Sequence, residues 1–565
     1  MAAAPAWWTS AVVYQIYPRS FADANGDGVG DLGGIRARLP YLRDLGVDVL
    51  WLSPIYRSPQ ADNGYDISDY LDIDPLFGTL DEFRLLLDEV HAAGMKLVMD
   101  LVVNHTSDEH PWFVESRSSR TNAKRDWYVW RDAVDGRPTG EREPNLWRSY
   151  FSGPAWDLDA TTGQYYLHLF AAQQPDLNWE NPEVRAAVFA MMRWWLDLGV
   201  DGFRMDVINF IAKLPEELSG DSVQRSPAPR VHAYLQEMRR EVFADRDRDL
   251  ITVGEMPGVT IDEAALFTDP ARRELDMVFQ FEHVDLDSAP ESKFDTRPFA
   301  LPALTGSLAR WQQGLAAAGW NSLYLGNHDQ PRAVSRFGDD GRYRYESATL
   351  LATVLHGHRG TPYVYQGEEI GMTNAGFTHI EQYRDIESLN WFAGAVADGA
   401  RPDAALAALR MRSRDNARTP MQWSAGAAAG FTDGDPWIEL PANAAEVSVE
   451  ADEAAGERSV LAHYRRLIAL RHEVPVLALG DFTPLAVGHP TLSAFLRTLD
   501  DDALLVVGNW SAEPLPLDAA LDPALAPWLA APETTLLLGN LPAPVGGPSA
   551  PLRPWEARIL RRRIA

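Results

Sequence analysis

Cysteine is absent from all 565 residues. That excludes disulfide frameworks, zinc sites built on thiolates and thiol nucleophiles, and it fits a reducing compartment. Long apolar runs are missing too: no uninterrupted stretch approaches the roughly 20 residues needed to span a bilayer. The opening MAAAPAWWTS has neither the basic nor the apolar stretch of a secretory leader. Together these features predict a cytoplasmic protein with no membrane partner. Positive charge is also scarce, with 51 Lys and Arg against 80 Asp and Glu and a formal net charge of −29. A field this negative repels nucleic acids and anionic membranes alike. The cationic run Arg561, Arg562, Arg563 at the tail is too short to reverse it, so no nucleic-acid partner is expected. What remains, 46% hydrophobic and 10% aromatic residues, suits a folded chain that buries large cores in two or three domains.

Short β-branched and aromatic runs recur at 12–18, 47–54, 96–105, 200–208, 250–256, 276–282, 322–329 and 361–368. Six of them end in Pro, His or a carboxylate, and the other two carry a carboxylate, Asp206 and Glu255, within two residues of the end. Amphipathic helical patterns lie between many of them, as at 80–94 and 182–199. Strands apolar on both faces and alternating with helices predict an α/β fold with a parallel sheet covered by helices, and eight such units predict a (β/α)8 TIM barrel. The Trp- and Tyr-rich interval 106–173 reads as a small inserted domain between barrel parts 1–105 and 174–479. The second part carries an excursion over about 374–456 after the eighth strand. The remainder, 480–565, reads as an antiparallel β-sandwich domain with short strands at 492–496, 503–510, 535–538 and 557–560.

In such barrels chemistry sits where the strands end. Asp206, Glu255 and Asp329 end the fourth, fifth and seventh strands, so three carboxylates should share one cavity. Their mutual repulsion costs free energy, which points to a reaction. A raised and a lowered carboxylate pKa supply the acid and the nucleophile of glycoside hydrolysis. Arg204 shares a strand face with Asp206 and can keep it ionised. His105 and His328 end strands beside these acids and can donate to sugar hydroxyls. A buried ion-pair network and a histidine-carboxylate metal site remain as alternatives. Elsewhere Asp23, Asn25, Asp27, Val29 and Asp31 alternate like the oxygen ligands of a calcium loop, with Val29 offering its carbonyl. Position 34 is Gly, where an EF-hand carries glutamate, so the loop is of another kind; an ion-free Asx-turn loop is the alternative.

The segments DLVVNH (100–105), GFRMDVIN (202–209), GEM (254–256) and NHDQPR (327–332) resemble the signature regions of the α-amylase family, glycoside hydrolase family 13. With YQIYPRSFADANGDGVGDLGGI (14–35), DNGYDISDY (62–70), QPDLNW (174–179), YQGEEIGM (365–372) and RDNARTPMQW (414–423), the resemblance is closest to the oligo-1,6-glucosidase and α-glucosidase branch. It implies that Asp206 is the nucleophile, Glu255 the acid and base, and Asp329 the transition-state stabiliser. It implies that Asp62 and Arg414 recognise the non-reducing-end hydroxyls, that Tyr65 and Phe170 wall the sugar, and that His105, Arg204 and His328 donate to it, with Phe151 and Gln174 beside them. Val207 accompanies α-1,6 cleavage in relatives. The ion implied at the loop is calcium, or magnesium in its place, with no organic cofactor. The implied activity is that of a retaining exo-α-glucosidase, monomer or homodimer, acting on short α-glucosides such as isomaltose and panose. The rivals are a transglucosylating α-glucosidase of α-1,4 or broad specificity, a sucrose isomerase, for which Gln330 is the wrong residue, and a non-catalytic sugar-binding or chaperone-like relative.

Overall fold

The computed structural model describes residues 5–134, 142–213, 229–244, 246, 248–289 and 292–564; the first four residues of the opening segment lie outside them. Eight parallel strands form the central sheet: β1 Val13–Ile16, β2 Val49–Leu52, β3 Lys96–Leu101, β4 Gly202–Met205, β5 Ile251–Glu255, β6 Met277–Phe279, β7 Ser322–Leu323 and β8 Thr361–Tyr365. Each falls inside one of the eight runs read from the sequence. Neighbours pair in chain order, β8 returns to β1 through Val13 and Tyr363, and a parallel bridge between Val278 and Asn321 closes β6 onto β7. The sheet is therefore a closed barrel, and closure leaves no edge to protect.

Alternation along the strands explains the continuous apolar runs. Val13, Val49, Trp51, Val253 and Met277 fill the interior, while Tyr14, Ile16, Leu50, Leu97 and Met99 pack outward against helices. Both faces are dry, so both periods of a strand must be apolar. The helix Leu80–Ala92 starts with a Thr79–Glu82 capping box and buries Phe83, Leu86, Leu87 and Val90. The helix Pro182–Leu198 has Asn181 as N-cap and Pro at its start, and it stops at Gly199, whose φ is 125°.

Three features decide what surrounds the C-terminal rim. Between β3 and β4 the chain forms a three-stranded antiparallel sheet of Trp130–Asp132, Gln164–Leu167 and Trp156–Asp159. Its aromatic cluster, including Trp147 and Trp156, reaches Val207 and Phe210 just beyond β4. After β8 the excursion is not an empty loop: it holds helices Ile386–Ala397, Pro402–Arg412 and Asp415–Arg418. The last part is antiparallel, with β9 Asp481–Leu485, β10 Leu492–Leu499, β11 Asp502–Asn509, β12 Thr535–Gly539 and β13 Ala557–Arg563 in the spatial order β9-β10-β11-β13-β12. The sequence reading found four of these and missed β9, whose Pro484 and exposed Asp481 hide the alternation. These five strands make one sheet. Its inner face (Phe495, Leu504, Val506, Ile559) joins the barrel core. Its outer face (Leu505, Val507, Leu560) is covered by Leu517, Leu525 and Trp528, a second layer of short helices and loops with a single bridge, Leu515 to Leu552. Arg497 ties this sheet to the barrel by donating to the carbonyls of Gly357, Leu477 and Gly480 at 2.6–3.1 Å. Among the described residues, no helix is long and apolar enough to cross a membrane.

Gly202 opens β4 at a φ of 150°, and a Cβ there would lie 1.9 Å from the Ile251 carbonyl oxygen of β5. Gly202→Ala is expected to destabilise the protein by more than ~1 kcal/mol, seen as a lowered Tm in a thermal melt; an unchanged Tm would contradict this packing.

Candidate active site

Residues two apart on a strand share a face, so Arg204 and Asp206 enter the rim side by side. Arg204 is fully buried and carries three carboxylates. Its Nη1 donates to Asp100 Oδ1 at 2.6 Å and Asp206 Oδ1 at 2.7 Å, and its Nη2 pairs with Glu255 Oε1. Burial works against the guanidinium charge, but the three carboxylates outweigh it and hold Arg204 protonated well beyond its ordinary range. Burial pushes Asp206 well up; Arg204 opposes this, while Glu255 and Asp100 add to it. Asp100 is pushed up to about 6 by burial, against the pull of Arg204. One cation thus binds one carboxylate from each of β3, β5 and the end of β4.

Asp329 belongs to a second cluster. Its Oδ1 accepts from Arg418 Nη2 at 2.7 Å and lies 3.5 Å from Arg414 Nη1. Its side chain is 31% exposed, against 10% for Asp206 and 6% for Glu255, so Asp329 is the acid that lies most open in the cavity. Burial opposes its ionisation, yet His328, Arg414, Arg418 and Lys293 hold its carboxyl below the ordinary carboxylate range. Burial also pulls His328 down to about 3. The ring is therefore neutral near pH 7, and the guanidinium groups are the standing charges. Arg414 Nη2 reaches Asp62 Oδ1 at 2.9 Å and Asp385 Oδ1 at 2.6 Å, which joins the loop after β2 to the excursion after β8.

The histidines are oriented by hydrogen bonds. Gln15 Nε2 lies 2.8 Å from His328 Nδ1, and His328 Nε2 lies 2.6 Å from the Tyr65 hydroxyl, which donates to Asp100 Oδ2 at 3.0 Å. In the tautomer with Gln15 donating, the proton sits on Nε2 and the chain of donors runs to Asp100. The Tyr65 and His328 rings stack with centroids 5.2 Å apart. Gln174 Nε2 lies 3.2 Å from Asp62 Oδ2 and 3.1 Å from His105 Nε2. Burial pulls His105 down to about 3. Phe170 packs on His105 and Phe151, and Arg414 lies over the Phe151 ring at 4.6 Å. All thirteen residues read as catalytic or substrate-binding therefore line one connected region.

Other members were not singled out from sequence. Asp100 is quoted in DLVVNH, but that run reads as ending at His105, whereas the strand ends at Leu101, which puts Asp100 one residue from the rim. Arg418 follows Arg414 by four residues, the spacing of one helical face. Asp385, the N-cap of helix Ile386–Ala397, and the pair of Glu387 in that helix with Lys293 in the strand Ser292–Thr296 carry no local signal and come from distant parts of the chain, with Glu387 Oε2 standing 3.4 Å from Arg414 Nε.

The loop 23–31 lies apart, packed on segment 431–437 through Asp23 N to Phe431 O and Trp437 N to Gly28 O. Its side chains turn their oxygens inward. Asp23 accepts from Asn25, Gly26 and Gly28 N–H at 2.8–2.9 Å, Asn25 from Asp27, and Asp27 from Val29. Asp31 caps the next helix at Gly34. Among the described residues no group of three His, Asp or Glu is gathered at metal-binding range. The donor set is nonetheless all oxygen, and burial pushes Asp31 up with Asp23 adding to it, a crowding that a hard cation would relieve.

Comparison with known proteins agrees with this geometry. The alpha-amylase catalytic domain profile matches residues 15–480. An oligo-1,6-glucosidase of Parageobacillus thermoglucosidasius is 52% identical over 99% of both chains. The crystal structure of Bacillus licheniformis trehalose-6-phosphate hydrolase superposes with a TM-score of 0.90 at 43% identity, covering 99% of this chain and 100% of that one. That of an isomaltulose synthase from Erwinia rhapontici gives 0.90 at 39%, covering 99% of each. With a match over most of its length, and carboxylates ending the strands that the signature segments form, this chain belongs to the α-amylase family of glycoside hydrolases.

Proposed function

We propose that the protein is a retaining exo-α-glucosidase that releases the non-reducing-end glucose of short α-glucosides, favours the α-1,6 links of isomaltose, panose and isomalto-oligosaccharides, and works in the cytoplasm. One observation carries the reading: Asp206 and Glu255 share a single buried guanidinium, while Asp329 is held anionic by a different pair of arginines. Two carboxylates bridged by one guanidinium are close neighbours, and retaining pairs stand about 5–5.5 Å apart.

The roles are those the family resemblance implies. Asp206, whose ionised form Arg204 favours against its burial, attacks the anomeric carbon. As the bond to the leaving oxygen breaks, Glu255 gives that oxygen its proton, and a glucosyl ester forms on Asp206. Water then loses a proton to the Glu255 carboxylate while its oxygen takes the anomeric carbon and Asp206 departs. Asp329 accepts from the 2- and 3-hydroxyls, and its standing negative charge favours the positive charge that develops on the ring. The Asp62–Arg414 pair with Gln174 closes the far end of the pocket, which suits removal of one terminal sugar. His105 and Arg204 donate to the sugar, His328 lies beside them holding the Tyr65 hydroxyl, and Tyr65, Phe151 and Phe170 pack against it. The side chain of Val207 narrows the approach of the next sugar. The similarity to oligo-1,6-glucosidases supports the linkage. Asp23, Asn25, Asp27, Asp31 and the Val29 carbonyl of loop 23–31 would hold calcium, or magnesium in its place, and the ion would brace the loop rather than act on substrate.

Product analysis tests the activity. Isomaltose is expected to yield glucose faster than maltose, trehalose or sucrose, and Asp206→Asn to lower that rate by about 10³-fold or more. Isomaltulose or trehalulose from sucrose in place of glucose would overturn the hydrolase reading. Removing the shared cation by Arg204→Met leaves the raised Asp206 carboxyl without its main opposing charge. Its ionised form then appears only at higher pH, so the acid limb of the kcat/KM profile should move up; a limb at the wild-type pH would contradict the role given to Arg204. Chelation is expected to lower the Tm, with recovery on adding calcium, and a Tm indifferent to both would leave loop 23–31 as a set of Asx turns.

A further inference from the structure

The residue that follows Asp206 has a backbone its side chain disfavours. Val207 lies at φ 34° and ψ 43°, the left-handed region, where a β-branched residue is an outlier that the surroundings must enforce. This conformation ends β4 and starts the short turn Ile208–Phe210, closed by Phe210 N–H donating to the Val207 carbonyl at 2.8 Å. Its other consequence is the direction of the Val207 N–H, which donates to Glu255 Oε2 at 3.1 Å.

Glu255 is thereby held at both oxygens, with Oε1 on Arg204 Nη2 and Oε2 on a main-chain amide. The Arg204 contact is shared with Asp206 through the same guanidinium. The amide contact belongs to Glu255 by itself and fixes the rotation of the carboxyl plane. The enforcing contacts are also visible: the Val207 isopropyl group packs in a cluster with Trp156, Leu167, Leu169 and Phe210, bordered by Phe170. Four of these five, Trp156, Leu167, Leu169 and Phe170, lie in the segment inserted between β3 and β4.

We propose that Val207 is a positioning residue for the acid and base: its main-chain N–H, kept in place by packing of its side chain against the inserted segment, aims the Glu255 carboxyl at the leaving oxygen. The amide takes one lone pair of Oε2 and leaves the other to carry the proton that is delivered. This inference rests on the assignment of Glu255 under the proposed function and adds a second task to a residue otherwise read as a steric wall. It makes the inserted segment part of the machinery for proton delivery as well as a side of the pocket.

A misplaced acid harms poor leaving groups, which need the proton, and spares good ones, which depart without it. The test is kcat and KM for phenyl, 4-nitrophenyl and 2,4-dinitrophenyl α-glucosides, aglycones of one ring shape. For Val207→Ala, which loses the packing, kcat/KM on the phenyl glucoside should fall about tenfold or more beyond any fall on the dinitrophenyl glucoside. The loss should lie in kcat. Val207→Ile, which keeps the β-branch, should restore the shallow dependence on leaving group. A main-chain ester at position 207, made with α-hydroxyisovaleric acid, keeps the side chain and deletes the N–H, and should steepen the dependence as Val207→Ala does; it decides the matter if the alanine variant does not fold. Equal losses on all three glucosides, or a change confined to the isomaltose-to-maltose ratio, would overturn the inference and leave Val207 as a wall. A wild-type protein inactive on every α-glucoside would instead overturn the glucosidase reading beneath it.

Discussion

One buried guanidinium is the constraint around which the catalytic rim is organised. Arg204 has 2% of its side chain exposed and binds carboxylates from three strands, with its own guanidinium 5.1 Å from the Trp51 ring centroid. A buried cation of this kind is costly to desolvate, and breaking such a pair from either side costs about 3–5 kcal/mol because a charge is stranded. The barrel therefore has little freedom to shift β3, β4 and β5 against one another at their C-terminal ends. The same rigidity holds the Asp206 and Glu255 carboxylates side by side on one guanidinium, which links the stability of the rim to its geometry.

A second set of charges gives the pocket its closed end. Arg414 and Arg418 stand between Asp62, Asp329 and Asp385, so a loop early in the chain, one late in the barrel and the excursion after it meet on shared ion pairs. Separating the two clusters has a chemical consequence. Asp206 and Glu255 share one cation, whereas Asp329 has arginines of its own and stays ionised. Like carboxylates thus receive unlike tasks from their surroundings. The inserted segment completes the enclosure, since its aromatic cluster runs without a break into the turn that follows Asp206.

The legibility of this chain in its sequence is uneven for physical reasons. All eight barrel strands were legible because a strand buried on both faces must be apolar at every position, and its polar end marks the rim. Asp206, Glu255 and Asp329 were legible for the same reason: ionisable groups closing apolar runs have few structural uses. β9 was not, because an edge strand half exposed to solvent carries a mixed pattern. The excursion of 374–456 looked like connecting chain because its helices are short and Ala-rich, yet it brings Asp385, Arg414 and Arg418 to the site.

The sequence by itself determined the barrel and the family, since those depend on local pattern and on motifs that keep their order along the chain. Only the tertiary structure decided who shares a proton or a charge with whom. Arg204 faces Asp206 by strand period, but nothing local joins it to Asp100 or Glu255, and Lys293 meets Glu387 across 94 residues. The left-handed backbone of Val207 is the clearest case. Its propensity is for a strand, and the packing of a distant insertion overrides that preference, because burying an isopropyl group among aromatic rings offsets a strained pair of backbone angles.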